Sequence, residues 1–205
     1  MRFAGFEDSP PPSPQQVRDL LLRMLREMQP EFVEHIPVVA EHARATAQQL
    51  GLTGEAVDEV IYAAELHDIG KLAIPETMLT KPSALDEEEW ALMRRHTVIG
   101  ERIIAAAPAL SRAARLVRSS HEAFDGSGYP DALAGVEIPL GARIIAVCDA
   151  FDAMISNRPY TPPKTTDQAL AELQRCAGTQ FDPAIVQAFE QVISERAQPL
   201  TATIS

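Results

Sequence analysis

The chain has two cysteines, one tryptophan and three tyrosines among its 205 residues, and the scarcities are informative. Cys148 and Cys176 stand far apart and form no CxxC pair, which excludes a disulfide framework and a thiolate zinc site; both read as buried small hydrophobes. No uninterrupted apolar run approaches the roughly 20 residues that cross a bilayer, so no membrane association is expected. The opening Met1-Arg2-Phe3-Ala4-Gly5-Phe6-Glu7-Asp8 lacks the basic region and apolar core of a signal peptide, and the expected location is cytoplasmic. Positive charge is also in short supply: 18 Lys and Arg face 29 Asp and Glu, for a net charge of −11. That balance argues against DNA or RNA as partner, because backbone phosphates need clustered cations that displace counterions. A small anionic substrate stays compatible if metal cations and a few local bases reverse the sign inside one pocket.

What is present is helical. Residues 7–15 carry the Pro-rich stretch Glu-Asp-Ser-Pro-Pro-Pro-Ser-Pro-Gln and read as an extended leader. From Gln16 to Met28 apolar residues recur at three and four, giving an amphipathic helix that serves packing or a homodimer contact. Helical periodicity continues, predicting helices near 38–50, 54–67, 86–105, 109–119, 140–156, 166–176 and 183–196. Thr53 and Asp182 have the character of N-caps, the latter followed by Pro183 at the first helical position. No segment reads as a strand, so the expected class is all-α. The organisation read from this pattern is a leader and N-terminal helix over 1–30, a main helical domain over 31–197 and a tail over 198–205.

Polar residues interrupt several of these apolar helices. His67-Asp68 ends Val57, Val60, Ile61, Ala64; His42 interrupts Val38, Val39, Ala43; His96 follows Met93; His121 ends Leu116, Val117; Asp149 sits within Ile144, Ile145, Val147, Phe151. A His-Asp pair alone carries little information. Burying Asp149 unpaired would cost several kcal/mol, however, so it implies a cation, a base or a proton. A metal centre answers for all of these residues together, and imidazole with carboxylate suits divalent transition metals. Lys71, close behind, adds a point charge suited to phosphate.

With the loop Asp125-Gly126-Ser127-Gly128-Tyr129-Pro130, the chain resembles the HD-GYP phosphodiesterases, a branch of the HD phosphohydrolase superfamily. The likeness spans roughly residues 35–192 and rests on ordered motifs: His67-Asp68-Ile69-Gly70-Lys71, His96 with Gly100, His121-Glu122, the Gly-Tyr-Pro loop, Asp149-Ala150-Phe151-Asp152, Arg158-Pro159-Tyr160 and Phe181-Asp182-Pro183. The resemblance implies a compact multi-helix HD-domain bundle and hydrolysis of cyclic di-GMP to linear pGpG and onward to GMP by a hydroxide on a bi- or trinuclear metal centre. Iron or manganese would be the metals, with zinc and nickel sharing the ligand preferences. Carried over by residue, the ligands would be His42, His67, Asp68, His96, His121 and Asp149, with Asp68 bridging. Asp68 and Lys71 would act at the scissile phosphate, and Tyr129, Arg158, Gly126 and Gly128 would meet the substrate.

Three departures matter. Ser120 stands where the family commonly has a second consecutive histidine; Val38 stands where trinuclear members place a glutamate four residues before the first histidine; Thr161 replaces a common base. The first two argue for two metals. Ser120 and Thr161 also motivate a second reading, a degenerate domain that binds a messenger or a protein partner through the Tyr129 loop, and a third keeps the superfamily but changes the nucleotide. For Gly126 and Gly128 a tight turn and a close approach to ligand both fit. Arg158 suits either a nucleotide contact or a salt bridge. Glu122 and Asp152 read as acceptors behind the ligands or the loop, and His35 and Trp90 as structural or exposed.

Overall fold

Ser13 opens the first helix: its hydroxyl accepts the Gln16 N–H and the Gln16 side chain returns the bond to the Ser13 N–H. In the structure, a computed structural model that describes residues 11–29, 35–157 and 162–197, α1 (Pro14–Met28) therefore starts two residues earlier than the periodicity predicts. Leu22 and Leu25 bury its inner face, while Leu20, Met24 and Met28 stay exposed. The Arg18 guanidinium pairs with Glu65, fastening this helix to the rest of the bundle.

Then follow α2 (Ile36–Gln49), α3 (Glu55–Leu66), a 3₁₀ turn (Ile69–Ala73), α4 (Glu76–Leu79), α5 (Glu87–Met93), α6 (His96–Ala105), α7 (Ser111–Arg118), α8 (Leu140–Ile155), α9 (Thr166–Arg175) and α10 (Pro183–Ala197). No strand occurs among the described residues, and the fold is all-α. Pro37 sits in the first turn of α2 rather than stopping it. The cap of α3 is Gly54, whose φ of 54° favours glycine, so Thr53 lies one position outside it. Asp182 caps α10 as expected, its carboxylate accepting the Ala184 N–H. The Pro-rich leader up to Pro10, the tail from residue 198, and Arg158 with Thr161 lie outside the described residues.

The bundle is organised around α3 and α8. Helix α2 packs on both, α7 packs on α3, and α9 and α10 close over α8. Phe151, Phe189, Leu66, Ile144, Ile145 and Leu173 are fully buried between them, each contributing about 1.5–3 kcal/mol through apolar area removed from water. Cys148 is buried in this core, but Cys176 is only half-buried, a correction to its expected burial. No helix among the described residues is long and apolar enough to cross a membrane.

Two local features set up the site. The predicted helix 86–105 is two helices, α5 and α6, with Arg94 and Arg95 in a turn between them. At the break the Met93 carbonyl accepts the His96 Nδ1–H at 2.8 Å. The 3₁₀ turn also packs backbone-to-backbone on α6. A Cβ at Gly70 would lie 1.9 Å from the His96 carbonyl oxygen and 2.7 Å from the Gly100 nitrogen, so only glycine fits there.

Candidate metal centre

Helix α3 delivers His67 at its C-terminal cap, and the 3₁₀ turn that follows delivers Asp68 and Lys71. The His67 Nδ1–H donates to the Ala64 carbonyl at 2.8 Å, just as His96 Nδ1–H donates to Met93. Each ring is thereby fixed as the tautomer whose Nε2 carries the lone pair, as a metal-ligating imidazole needs.

Two groups of ligand atoms, each with mutual distances within 4.8 Å, come together: His35, His67 and Asp68 in one, Asp68, His96 and His121 in the other. Asp68 belongs to both. Its Oδ2 faces the His67 Nε2 at 3.7 Å and the Lys71 Nζ at 2.5 Å, while its Oδ1 faces the His96 Nε2 at 3.5 Å. One carboxylate oxygen per group is the geometry of a bridging ligand. Asp149, from the middle of α8, places Oδ1 3.5 Å from the His67 Nε2.

His42 stands apart from the two groups. Its ring lies edge-on to Phe151 at 5.7 Å and Phe189 at 5.6 Å, within the core and outside both groups. His35, expected to be structural or exposed, takes its place, its ring 6.1 Å from that of His67. The two histidines are seven residues apart, so they project from nearly the same side of α2 about two turns from one another. The N-terminal one meets the cluster. With His35 as first histidine, the residue four positions earlier is Glu31 rather than Val38, and Glu31 lies outside the described residues.

The cluster fits metal ions on its own chemistry. The Nε2 atoms of His67, His96 and His121 and the Oδ1 of Asp68 are buried without a hydrogen-bond partner. Such atoms cost about 1–3 kcal/mol each if left unsatisfied, and four converging in one place call for an electron-pair acceptor.

The electrostatics point the same way. Burial opposes charge on His67, yet Asp68 and Asp149 outweigh it and push its pKa up to about 9. Burial would raise Asp149, but the neighbouring His67 brings it down to about 2. Asp68 is likewise held well below the carboxylate range, its burial overridden by Lys71 and His67. His121 falls to about 4 through burial and the neighbouring His96. The carboxylates thus demand positive charge here, while the neutral imidazoles of His96 and His121 offer lone pairs.

A cavity of about 470 Å³ opens beside the cluster, with His121, Asp149, Tyr129 and Arg94 among its walls. The Gly-Tyr-Pro loop shapes one side. Gly126 has φ of 85° and forms the turn, while Gly128 packs so closely that a Cβ would lie 2.1 Å from the Ala123 nitrogen. Gly128 lines the cavity and Gly126 does not. The Tyr129 ring stacks on His121, with centroids 5.3 Å apart and planes 9° from parallel, and burial pushes its hydroxyl up to about 12. Glu122, buried, accepts the Asp131 N–H at 2.7 Å and the Leu133 N–H at 3.1 Å, so it holds the loop. Asp152 is buried and accepts the Ser156 hydroxyl at 3.2 Å. Ser120 turns its hydroxyl to the Val117 carbonyl at 2.9 Å. Sequence reasoning missed His35 as a cluster member and Arg94 altogether; the alternation of polar with apolar positions carries no signal for a residue in a turn.

Fold and site together define an α-helical bundle built around a buried histidine–aspartate cluster. A family model described as HD domain matches residues 19–185. A cyclic di-GMP phosphodiesterase of Thermotoga maritima is 40% identical over 85% of this chain and 48% of its own length. A cyclic di-GMP phosphodiesterase response regulator of Xanthomonas campestris is 45% identical over 77% and 41% respectively. The solved structure of a cyclic GMP-AMP specific phosphodiesterase of Vibrio cholerae superposes with a TM-score of 0.69 at 18% identity, covering 87% of this chain and 48% of that one; it speaks for the fold. The chain belongs to the HD domain family, in its HD-GYP branch. It spans about half the length of the curated relatives it matches.

Proposed function

We propose that this protein is a metal-dependent phosphodiesterase that opens cyclic di-GMP to linear pGpG and onward to GMP. The observation that carries this reading is the single carboxylate, Asp68, shared between two groups of candidate ligand atoms, four of which are buried without a hydrogen-bond partner, beside a cavity that His121 and Asp149 line. A cyclic dinucleotide substrate is also what the names of its relatives state for those proteins, cyclic di-GMP for two and 3′3′-cGAMP for a third.

Two divalent cations, iron or manganese before zinc or nickel, would be held by His35, His67, Asp68, His96, His121 and Asp149. When bound they would supply an activated water near neutral pH and neutralise phosphate oxygens. Asp68 spans the two groups, and Lys71 places an ammonium at its Oδ2, a point charge suited to phosphate. Tyr129 walls the cavity and, with its raised pKa, keeps its proton as a donor. Glu122 keeps that wall in place. The two-metal stoichiometry now rests on Ser120, whose hydroxyl is engaged with the backbone.

Ser120 also favours one second reading, a domain that binds a cyclic dinucleotide without cleaving it. Metal-loaded protein incubated with cyclic di-GMP decides between them. Appearance of pGpG with about two equivalents of bound metal supports the phosphodiesterase, whereas binding without a new phosphomonoester, restored to turnover by Ser120→His, would favour the second. Cleavage of cyclic GMP-AMP in preference to cyclic di-GMP would reassign the nucleotide.

A further inference from the structure

Arg94 is the cation that lines the cavity among the described residues, and nothing in the established family motifs of this chain includes it. It stands in the turn between α5 and α6, two residues before His96. Local bonds hold the backbone around it: the Arg94 carbonyl accepts the Thr97 hydroxyl at 3.2 Å, and the preceding Met93 carbonyl accepts the His96 ring. The guanidinium lies 5.5 Å from the centroid of the Tyr129 ring, whose stacking on His121 completes a guanidinium–phenol–imidazole arrangement reaching from cavity rim to cluster. Arg118 and Arg143 each engage a carboxylate, whereas Arg94 makes no ion pair with a carboxylate among the described residues. In a chain of net charge −11, an arginine kept beside an aromatic ring on a cavity wall is placed for an anion from outside the protein.

A cyclic dinucleotide carries two phosphodiesters. The cluster can act on one; the other, across the macrocycle, stays a negative charge in a cavity whose walls also carry Asp125 and Glu122. We propose that Arg94 is a substrate-positioning residue that pairs with the phosphodiester not being cleaved, and so selects cyclic dinucleotides over simple diesters. This rests on the phosphodiesterase reading above. The planar guanidinium, with its fork of N–H donors, matches two phosphate oxygens while the Tyr129 ring limits its freedom.

The test uses metal-loaded wild-type, Arg94→Ala and Arg94→Lys proteins. Calorimetric Kd and steady-state KM are measured for cyclic di-GMP and cyclic di-AMP, and bis(p-nitrophenyl) phosphate serves as a diester without a second phosphate. Losing one charge-assisted bond raises Kd and KM for both cyclic dinucleotides about tenfold in Arg94→Ala, with kcat within about twofold. The preference for cyclic dinucleotide over the small diester falls by the same factor, and Arg94→Lys recovers part of it. Weakening confined to cyclic di-GMP would reassign Arg94 to a guanine edge and overturn the proposal, as would an equal loss on all three substrates or none on any. Wild-type protein that cleaves the small diester but binds neither cyclic dinucleotide would overturn the substrate class itself, and this proposal with it. Unaltered binding by Arg94→Ala overturns the role of Arg94 alone.

Discussion

Removing the Glu122 carboxylate tests whether the Gly-Tyr-Pro loop is held from behind, independently of any metal. Glu122 is 4% exposed and accepts two backbone N–H groups, from Asp131 and Leu133. Bonds to a charged acceptor contribute about 1.5–3 kcal/mol each. Asp131 is exposed and Leu133 half-buried, so water can satisfy part of what is lost, and the lower end of the range applies: Glu122→Ala costs about 3 kcal/mol. For a chain of this size each kcal/mol moves Tm by about 2–4 °C, so the expected drop is about 6–12 °C. Glu122→Gln keeps an oxygen for one N–H but turns its NH₂ toward the other, and about half the loss is expected. Calorimetric Tm, limited proteolysis across residues 123–134 and metal content are the readouts. A Tm within about 1 °C of wild type would refute the reasoning, and loss of metal with unchanged stability would make Glu122 a ligand instead.

Three further outcomes follow from the same geometry. His42→Leu retains wild-type metal content, because that ring sits among Phe151 and Phe189, whereas His35→Ala loses about one equivalent; metal analysis of the two variants reads this directly. Gly70→Ala forces backbone apart at the His96 carbonyl, costs about 3 kcal/mol or more and lowers metal content with stability, as denaturant unfolding and metal assay will report. In chelator-stripped protein, His67 has a folded pKa of about 9, raised above its unfolded value, so its contribution of about 3 kcal/mol is complete below pH 6.5 and lost as pH rises through 9. Asp149, lowered to about 2, contributes above pH 4 and loses its contribution as pH falls through 2. The stripped protein is thus most stable between about pH 4 and 6.5, a window that pH-dependent unfolding tests; metal loading at pH 8 releases a proton from His67, seen as buffer-dependent heat.

Much of this was legible before any coordinates. The alternation of apolar residues at three and four marked the helices to within a few residues, because burying one stripe is what stabilises a helix in a bundle. His67, Asp68, His96, His121 and Asp149 were recognisable as polar residues on apolar helices, where each requires a partner. The 86–105 region shows the limit. Its periodicity is continuous, but the helix breaks at Arg94 and Arg95, where the His96 ring bonds to the Met93 carbonyl, a side-chain contact to which a hydrophobic pattern is blind. Cys176 shows another limit, since an apolar residue beside a cavity has the same sequence signature as one in the core.

By itself, then, the sequence determined that the protein is a helical bundle, that its helices carry histidines and aspartates whose chemistry suits a metal centre, and that a glycine-rich loop accompanies them. Tertiary structure alone decided which of His35 and His42 stands beside His67 and Asp68. Residues 35 and 42 share a helix face, and periodicity reports the angle around a helix rather than the position along it that reaches a neighbour. It also decided that Asp68 faces both groups, and that Arg94, Tyr129 and His121 form one stack. Those arrangements depend on how α3, α6 and α8 pack against each other, which brings together residues far apart in the chain.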